Sequence, residues 1–145
     1  MKQHENDKVV ATIPAGVTGS SETATLTIDT LGYDHASVTV LRAANANTVF
    51  ASVLRVQESD DNTAYSSVTA LVGGGVDGFT IPTVPVTTQP SVVKMDIDTR
   101  SKKRYLRVSV TPTTAVNVAV TARLSRAGVA PTTAGEAGAV AWVTG

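Results

Sequence analysis

At 145 residues, 42% of them apolar, the chain is long enough for one domain with its own core and too short for two ordinary ones. Its 12 basic and 12 acidic side chains cancel, so no long-range field draws it to nucleic acid or an anionic membrane, and the lack of cysteine excludes disulfide stapling, thiolate chemistry and Cys-based zinc sites. Aromatics are only 4%, while Val, Thr and Ile supply one residue in three, which points to strands around a thin aliphatic core rather than to helices.

Residues 1–7 read as a solvated tail of mixed charge, without the apolar stretch of a signal peptide. No apolar run approaches the roughly 18–20 residues that span a bilayer, so the chain reads as a soluble protein made in the cytoplasm. A short strand over 8–13 stops at Pro14, and 15–21 has the glycines and hydroxyls of a loop. Period-two alternation predicts strands over 23–28 and 36–42, the second with Ala36, Val38 and Val40 on one side. The segment 29–34 between them is a turn, and Asn45-Ala46-Asn47 marks the next connection. Residues 49–56 are apolar on both phases, the pattern of a central strand covered on two faces or of one carrying a bulge. An acidic turn over 57–62 leads to a strand over 65–72, then to the glycine loop 73–78. Pro82 and Pro85 confine 79–89 to an edge strand or an extended loop.

Residues 92–110 read as two alternating strands around a charged turn. Pairing Ile97 with Leu106, Met95 with Val108 and Val93 with Val110 places every large aliphatic on one face. The same register opposes Asp96 to Arg107 and Asp98 to Tyr105. Pairing Val110 with Val116 adds the strand 116–124, so 92–124 is expected to be a three-stranded meander. About eight short strands with turn signals between them predict an antiparallel β-sandwich or barrel over 8–126. Beyond lies an Ala/Gly-rich C-terminal arm, 127–145, which ends in the apolar Val140, Trp142 and Val143.

Chemistry is sparse. His35 beside Asp34 offers a base and a carboxylate but no positioned nucleophile, and a strand-edge histidine next to a turn is ordinarily structural; His4 lies in the tail. Gln57-Glu58-Ser59-Asp60-Asp61-Asn62 has oxygen ligands for a cation, yet lacks the spacing of a calcium loop and reads as a solvated turn. Gly73-Gly74-Gly75-Val76-Asp77-Gly78 lacks the Lys-Ser/Thr and the helix of a phosphate cradle. The basic run Arg100, Lys102, Lys103, Arg104 is better suited to pairing with Asp96, Asp98 and Asp29, or with an acidic patch on a partner, than to gripping nucleic acid. The chain reads as a non-enzyme without cofactor or metal.

Four segments in order carry a resemblance: Ile28-Asp29-Thr30-Leu31-Gly32-Tyr33-Asp34; Val56-Gln57-Glu58-Ser59-Asp60-Asp61; Asp98 through Lys103-Arg104-Tyr105-Leu106-Arg107-Val108; and Leu124-Ser125-Arg126-Ala127 leading to Pro131. Together they resemble a family of small tailed-bacteriophage proteins encoded near the major capsid protein. That resemblance implies a jelly-roll cement, or decoration, protein on the outer surface of the capsid, bridging neighbouring major capsid protein subunits. It further implies self-association, with a homodimer favoured over a homotrimer, and no catalytic residues. The interface candidates are then Arg100, Lys102, Lys103 and Arg104 in the basic turn and Val140, Trp142 and Val143 in the arm. A carbohydrate- or host-surface-binding β-sandwich on the virion is the alternative; it needs an aromatic stacking platform, and the aromatics are scattered in sequence.

Overall fold

A computed structural model describes residues 7–12, 22–141 and 143. Eight strands follow in order: β1 (Lys8–Thr12), β2 (Ala24–Asp29), β3 (Tyr33–Arg42), β4 (Val53–Ser59), β5 (Ser66–Val72), β6 (Ser91–Asp98), β7 (Tyr105–Thr111) and β8 (Val118–Ala127). They form two four-stranded sheets, β1-β8-β3-β6 and β2-β7-β4-β5, with antiparallel pairing throughout. The pairs β1–β8, β2–β7, β3–β6 and β4–β5 nest inside one another, as in one long hairpin. Rolling that hairpin up adds the pairs β3–β8 and β4–β7. This is the double-sheet jelly roll, and the predicted all-β sandwich is realised.

Alternation puts one phase of each strand inside. Ala36, Val38 and Val40 of β3 share rows with Leu124, Ala122 and Val120 of β8 and with Ile97, Met95 and Val93 of β6. Leu26 and Ile28 of β2, Val108 and Leu106 of β7, and Leu54 and Val56 of β4 face them from the other sheet. Most of these side chains are fully buried. β-Branched and aliphatic residues suit this position because they fill a pleated, thin core at little rotamer cost. The strand expected over 49–56 begins only at Val53, with 49–52 in the connection, and the register shift between β4 and β5 at Arg55/Gln57 places the extra residues in β5, between Ser67 and Val72. Residues 79–90 form an extended loop that makes isolated bridges, Thr83 with Val49 and Phe79 with Gly73, and buries Val84 in the core.

The expected 92–110 hairpin is overturned. β6 bonds to β3, while β7 bonds to β2 and β4 in the opposite sheet. Met95 and Ile97 therefore lie in the sheet opposite Val108 and Leu106, within one core, and are not their ladder neighbours. Nor does β7 pair with β8, so the three-stranded meander is absent. Alternation reports which face a residue takes, but not which strand completes its hydrogen bonds. The turn makes the crossing. Asp98 caps a single 3-10 turn, Thr99–Ser101, by accepting from Arg100 N at 3.1 Å. Thr99 is buried beneath it and donates its hydroxyl to Tyr33 O at 2.6 Å, which anchors the arch to β3.

Arg42 is the exception inside. It continues the inward phase of β3 and is only 2% exposed. Its guanidinium donates to the carbonyls of Asn47, Val49 and Phe50 at 2.8, 2.7 and 3.3 Å and lies over the Phe50 ring. Burial pushes its pKa down. The β3–β4 connection is thus folded around a buried cation.

Candidate functional site

The β2–β3, β4–β5 and β6–β7 connections and the end of β8 gather at one end of the sandwich, and they contain the four segments of the resemblance. Thr30 donates both its amide and its hydroxyl to Arg104 O, at 3.0 and 2.6 Å. Asp29 accepts a two-pronged bond from Arg104, 2.9 Å to Nε and 2.7 Å to Nη2. That bond, with the Leu31 amide, holds the Asp29 carboxyl below its ordinary range against some burial. Gly128, just past β8, donates its amide to Gly32 O at 2.9 Å.

The acidic turn serves the basic one. Glu58 accepts from the Lys103 amide at 3.1 Å, and Asp60 pairs with Lys103 Nζ at 2.9 Å. Asp61 turns inward on its own loop, accepting from the amides of Ala64 and Thr63 and from the Ser59 hydroxyl; these bonds lower its pKa to about 2. The oxygens that suggested a cation are thus engaged with backbone and lysine, and no group of three metal-ligating side chains occurs among the described residues. Of the predicted interface residues, Arg100 binds Asp98 in two-pronged fashion (2.9 and 2.7 Å) and lowers its pKa to about 2. Arg104 takes Asp29, Lys103 takes Asp60, and Lys102 reaches Ser101 Oγ at 3.0 Å. Asp96, also expected to serve this turn, pairs with Lys94 instead.

Val140 and Val143 lie elsewhere. The basic turn follows β6, whereas the C-terminal segment lies beside β1, at the opposite edge of the same sheet. Thr133 and Glu136 cap each other reciprocally: Glu136 accepts from Thr133 N and Thr132 N, and its own amide donates to Thr133 Oγ1. The resulting turn ends at Gly138, at φ 74°, where a Cβ would meet Val9 O at 2.0 Å. The Val9 amide on the outer edge of β1 donates to Ala137 O at 2.8 Å. Val140 and Val143 extend past this dock into solvent. Trp142 lies outside the described residues, as do His4 and the loop 13–21.

The outer face of the β1-β8-β3-β6 sheet carries a polar hollow of about 590 Å³, lined by Asp7, His35, Ser37, Lys94, Asp96, Arg123 and Ser125. His35 faces Asp96 across β6, at 3.8 Å, and Ser125 across β8, at 3.3 Å, rather than its sequence neighbour Asp34. A histidine between a carboxylate and a hydroxyl has the elements of an acyl-transfer site. The distances exceed hydrogen-bond contact on the carboxylate side, and the neighbouring backbone amides are engaged in the sheet ladders that would otherwise leave an oxyanion hole. Lys94 holds Asp96 at 2.9 Å and lowers its pKa, with help from Ser37 and His35. Arg123 pairs with the buried carboxylate of Asp7. The described residues that line the hollow offer donors and acceptors of both signs and include no Phe, Tyr or Trp. The glycine loop is likewise committed: Gly73 and Gly74 donate to Leu54 O and Phe79 O, and a Cβ on Gly78 would sit 1.8 Å from Val72 O.

Sequence reasoning missed Arg42 and the hollow. Arg42 had a signal, its phase with Val38 and Val40. The hollow had none, because it needs the partnership of β6 with β3.

No protein family and no curated protein matches the chain. Among solved structures, the CBM35 from Cellvibrio japonicus Abf62 is similar at 13% identity and a TM-score of 0.43, over 86% of this chain and 99% of that one. A protein of the disulfide-linked pili formed by Bacillus endospore appendages is similar at 16% identity and a TM-score of 0.30, over 86% and 95%. Among the described residues no helix is long and apolar enough to cross a membrane.

Proposed function

We propose that this chain is a structural virion protein that binds the outside of a tailed-phage capsid and cements neighbouring major capsid protein subunits. The observation that carries this reading is the convergence of the four resembling segments. Far apart in sequence, they form one hydrogen-bonded cluster through Asp29–Arg104, Thr30–Arg104, Thr99–Tyr33, Lys103–Asp60 and Gly128–Gly32. The resemblance therefore follows a unit of structure rather than four local strings. A mechanical role suits a domain whose charged turns are closed by internal pairs. Many copies on a lattice need only modest contacts each, since every bridge reinforces the next. Capsids stripped of the protein and then reconstituted with it should survive heating and chelation better than bare shells. Equal survival of bare and reconstituted shells would sink the reading.

The polar hollow favours a second reading, a carbohydrate- or host-surface-binding module on the virion. Its mixed donors and acceptors suit a polyhydroxylated ligand, although the described lining of the hollow includes no Phe, Tyr or Trp ring; Phe50 is in the core, Tyr65 lies under Arg107 and Tyr105 under Arg104. Glycan-array binding that is lost in both Asp96→Ala and Arg123→Ala would replace the cementing role with this one.

A further inference from the structure

On its outer side, the β2-β7-β4-β5 sheet shows two neighbouring rows, one crossing Thr25, Ser109 and Arg55, the next crossing Thr27, Arg107 and Gln57. Neither row contains an acidic residue. Arg55 on β4 and Arg107 on β7 are diagonal neighbours, roughly 7–8 Å apart at the backbone. Among the described residues Arg100, Arg104 and Arg123 each grip a carboxylate, whereas Arg55 and Arg107 form no ion pair. The acids of the adjoining segments are engaged or stand at the margins. Asp29 closes on Arg104, Glu58 accepts from the Lys103 amide, and Glu22 and Asp77 lie in the connections before β2 and after β5.

The two outer faces of the sandwich therefore differ. On the β1-β8-β3-β6 sheet, Lys94 cancels Asp96 and Arg123 cancels Asp7. The Arg55–Arg107 face instead combines guanidinium, phenol and hydroxyl groups, with no Lys, Asp or Glu in its two rows. Arg and Tyr are enriched where proteins meet, and Lys, Asp and Glu are depleted there. Arg107 is held in place in advance. Its guanidinium lies 3.9 Å from the centre of the Tyr65 ring and donates through Nε and Nη2 to Gln57 Oε1, at 3.3 and 2.9 Å. Its remaining N–H groups can take carboxylate oxygens without the side chain first having to be ordered. Arg55 is exposed beside Ser109, which is itself only 4% exposed. A guanidinium is more weakly hydrated than an ammonium and binds a carboxylate in two-pronged fashion, so both groups suit an interface.

We propose that this face docks on an acidic protein surface that presents carboxylates to Arg55 and Arg107; that the surface belongs to the capsid shell rests on the cementing reading. A second copy of the chain does not fit this face, because a two-fold contact would set the two arginines against their own like charges. Two cations are also too few to follow a nucleic-acid backbone, which takes a run of phosphate contacts. The basic turn, whose Arg100, Lys103 and Arg104 are engaged by Asp98, Asp60 and Asp29, is then not the main contact.

Co-sedimentation of the full chain with stripped shells tests this. Arg55→Glu and Arg107→Glu, each with an unchanged circular dichroism spectrum, should weaken binding at least about tenfold, whereas Lys102→Glu in the basic turn should change it less than about twofold. Binding of the unsubstituted chain should weaken as salt rises from about 0.05 to 0.5 M. Phenylglyoxal, which modifies accessible guanidinium groups, reads the face without any substitution: Arg55 should react in the free chain and be shielded on shells. Binding that survives both glutamates, is lost in Lys102→Glu or ignores salt overturns the inference, as does equal reaction of Arg55 in the free and bound chain. A chain that protects shells from heat while both variants bind as well as it does overturns only this inference. One that binds through this face yet leaves shells as heat-labile as bare ones overturns only the cementing role, and no binding at all overturns both.

Discussion

Where β2, β4 and β6 finish, the connecting turns are held by carboxylates and guanidinium or ammonium groups. Arg104 grips Asp29, Arg100 grips Asp98 and Lys103 grips Asp60, all at side chains open to water. Where β3, β5 and β7 finish, the connections are held by backbone carbonyls, hydroxyls and one buried arginine. The same fold thus closes its two ends with different physics. Exposed ion pairs are individually weak and depend on salt and pH. Buried hydrogen bonds to a desolvated cation are costly to break, because the groups left behind have no water to turn to. The end of the exposed ion pairs is the adjustable one, and the end around Arg42 is the rigid one.

Removing Arg42 is the most direct way to break that contrast. Arg42→Ala takes the donor from the carbonyls of Asn47 and Phe50, leaves Val49 O with Thr113 Oγ1 alone, and opens a cavity beside Phe50. Urea unfolding should show a loss of about 3–5 kcal/mol. Arg42→Met, which keeps the volume, should lose less, about 2 kcal/mol, because only the carbonyls suffer. If both substitutions are nearly neutral, the end around Arg42 does not depend on its buried cation and the contrast fails.

Thr99→Val tests one of the two buried-threonine bonds of the charged end, Thr99 Oγ1 to Tyr33 O, the other being Thr30 Oγ1 to Arg104 O. The swap keeps shape and removes the donor, so a loss of about 1 kcal/mol is expected in the same assay. A loss as large as that of Arg42→Ala would mean that the arch, not the ion pairs, carries this end.

What could be read from the sequence follows from what alternation encodes. Ala36, Val38, Val40, Met95, Ile97, Leu106 and Val108 were all assigned to a buried face, and all are buried. Their partners were not legible. In a meander, Met95 and Val108 are ladder neighbours; in this jelly roll they belong to opposite sheets; both arrangements hide the same side chains. The choice lies in the turn, where a buried Thr99 bonded to Tyr33 turns the chain out of one sheet and into the other. Asp96 illustrates the consequence. Once β6 joins β3 instead of β7, its carboxylate leaves Arg107 and joins Lys94 and His35, and a polar hollow appears that no local pattern announced. Arg107 in turn bonds Gln57 and covers Tyr65. The internal pairing of the basic turn was legible for Asp29 and Asp98, because opposite charges near a predicted turn find each other. It was not legible for Asp60, which arrives from β4.

Acid gives the smallest and most selective effect, and it separates the ends without any substitution. Asp61 and Asp98 titrate near 2 in the folded chain, and Asp29 is also held low. An unfolded aspartate titrates near 3.9. Folded values below unfolded ones mean that the unfolded chain binds protons first. The stabilisation is then complete above about pH 4 and is lost progressively as pH falls towards 2. All three carboxylates belong to the charged end, whereas residues 43–54 and 78–93 at the other end contain no ionisable side chain. Between pH 4 and 2, amide exchange should therefore accelerate around residues 29–32, 58–64 and 98–104, while residues 43–52 and 83–90 keep their protection until global unfolding. Asp61→Asn and Asp98→Asn should each flatten the dependence of thermal stability on pH in this window, because a neutral amide has no proton to gain. Loosening that begins at residues 43–52 would show that Arg42 and its carbonyls, rather than the exposed ion pairs, are the part of the fold that acid reaches first.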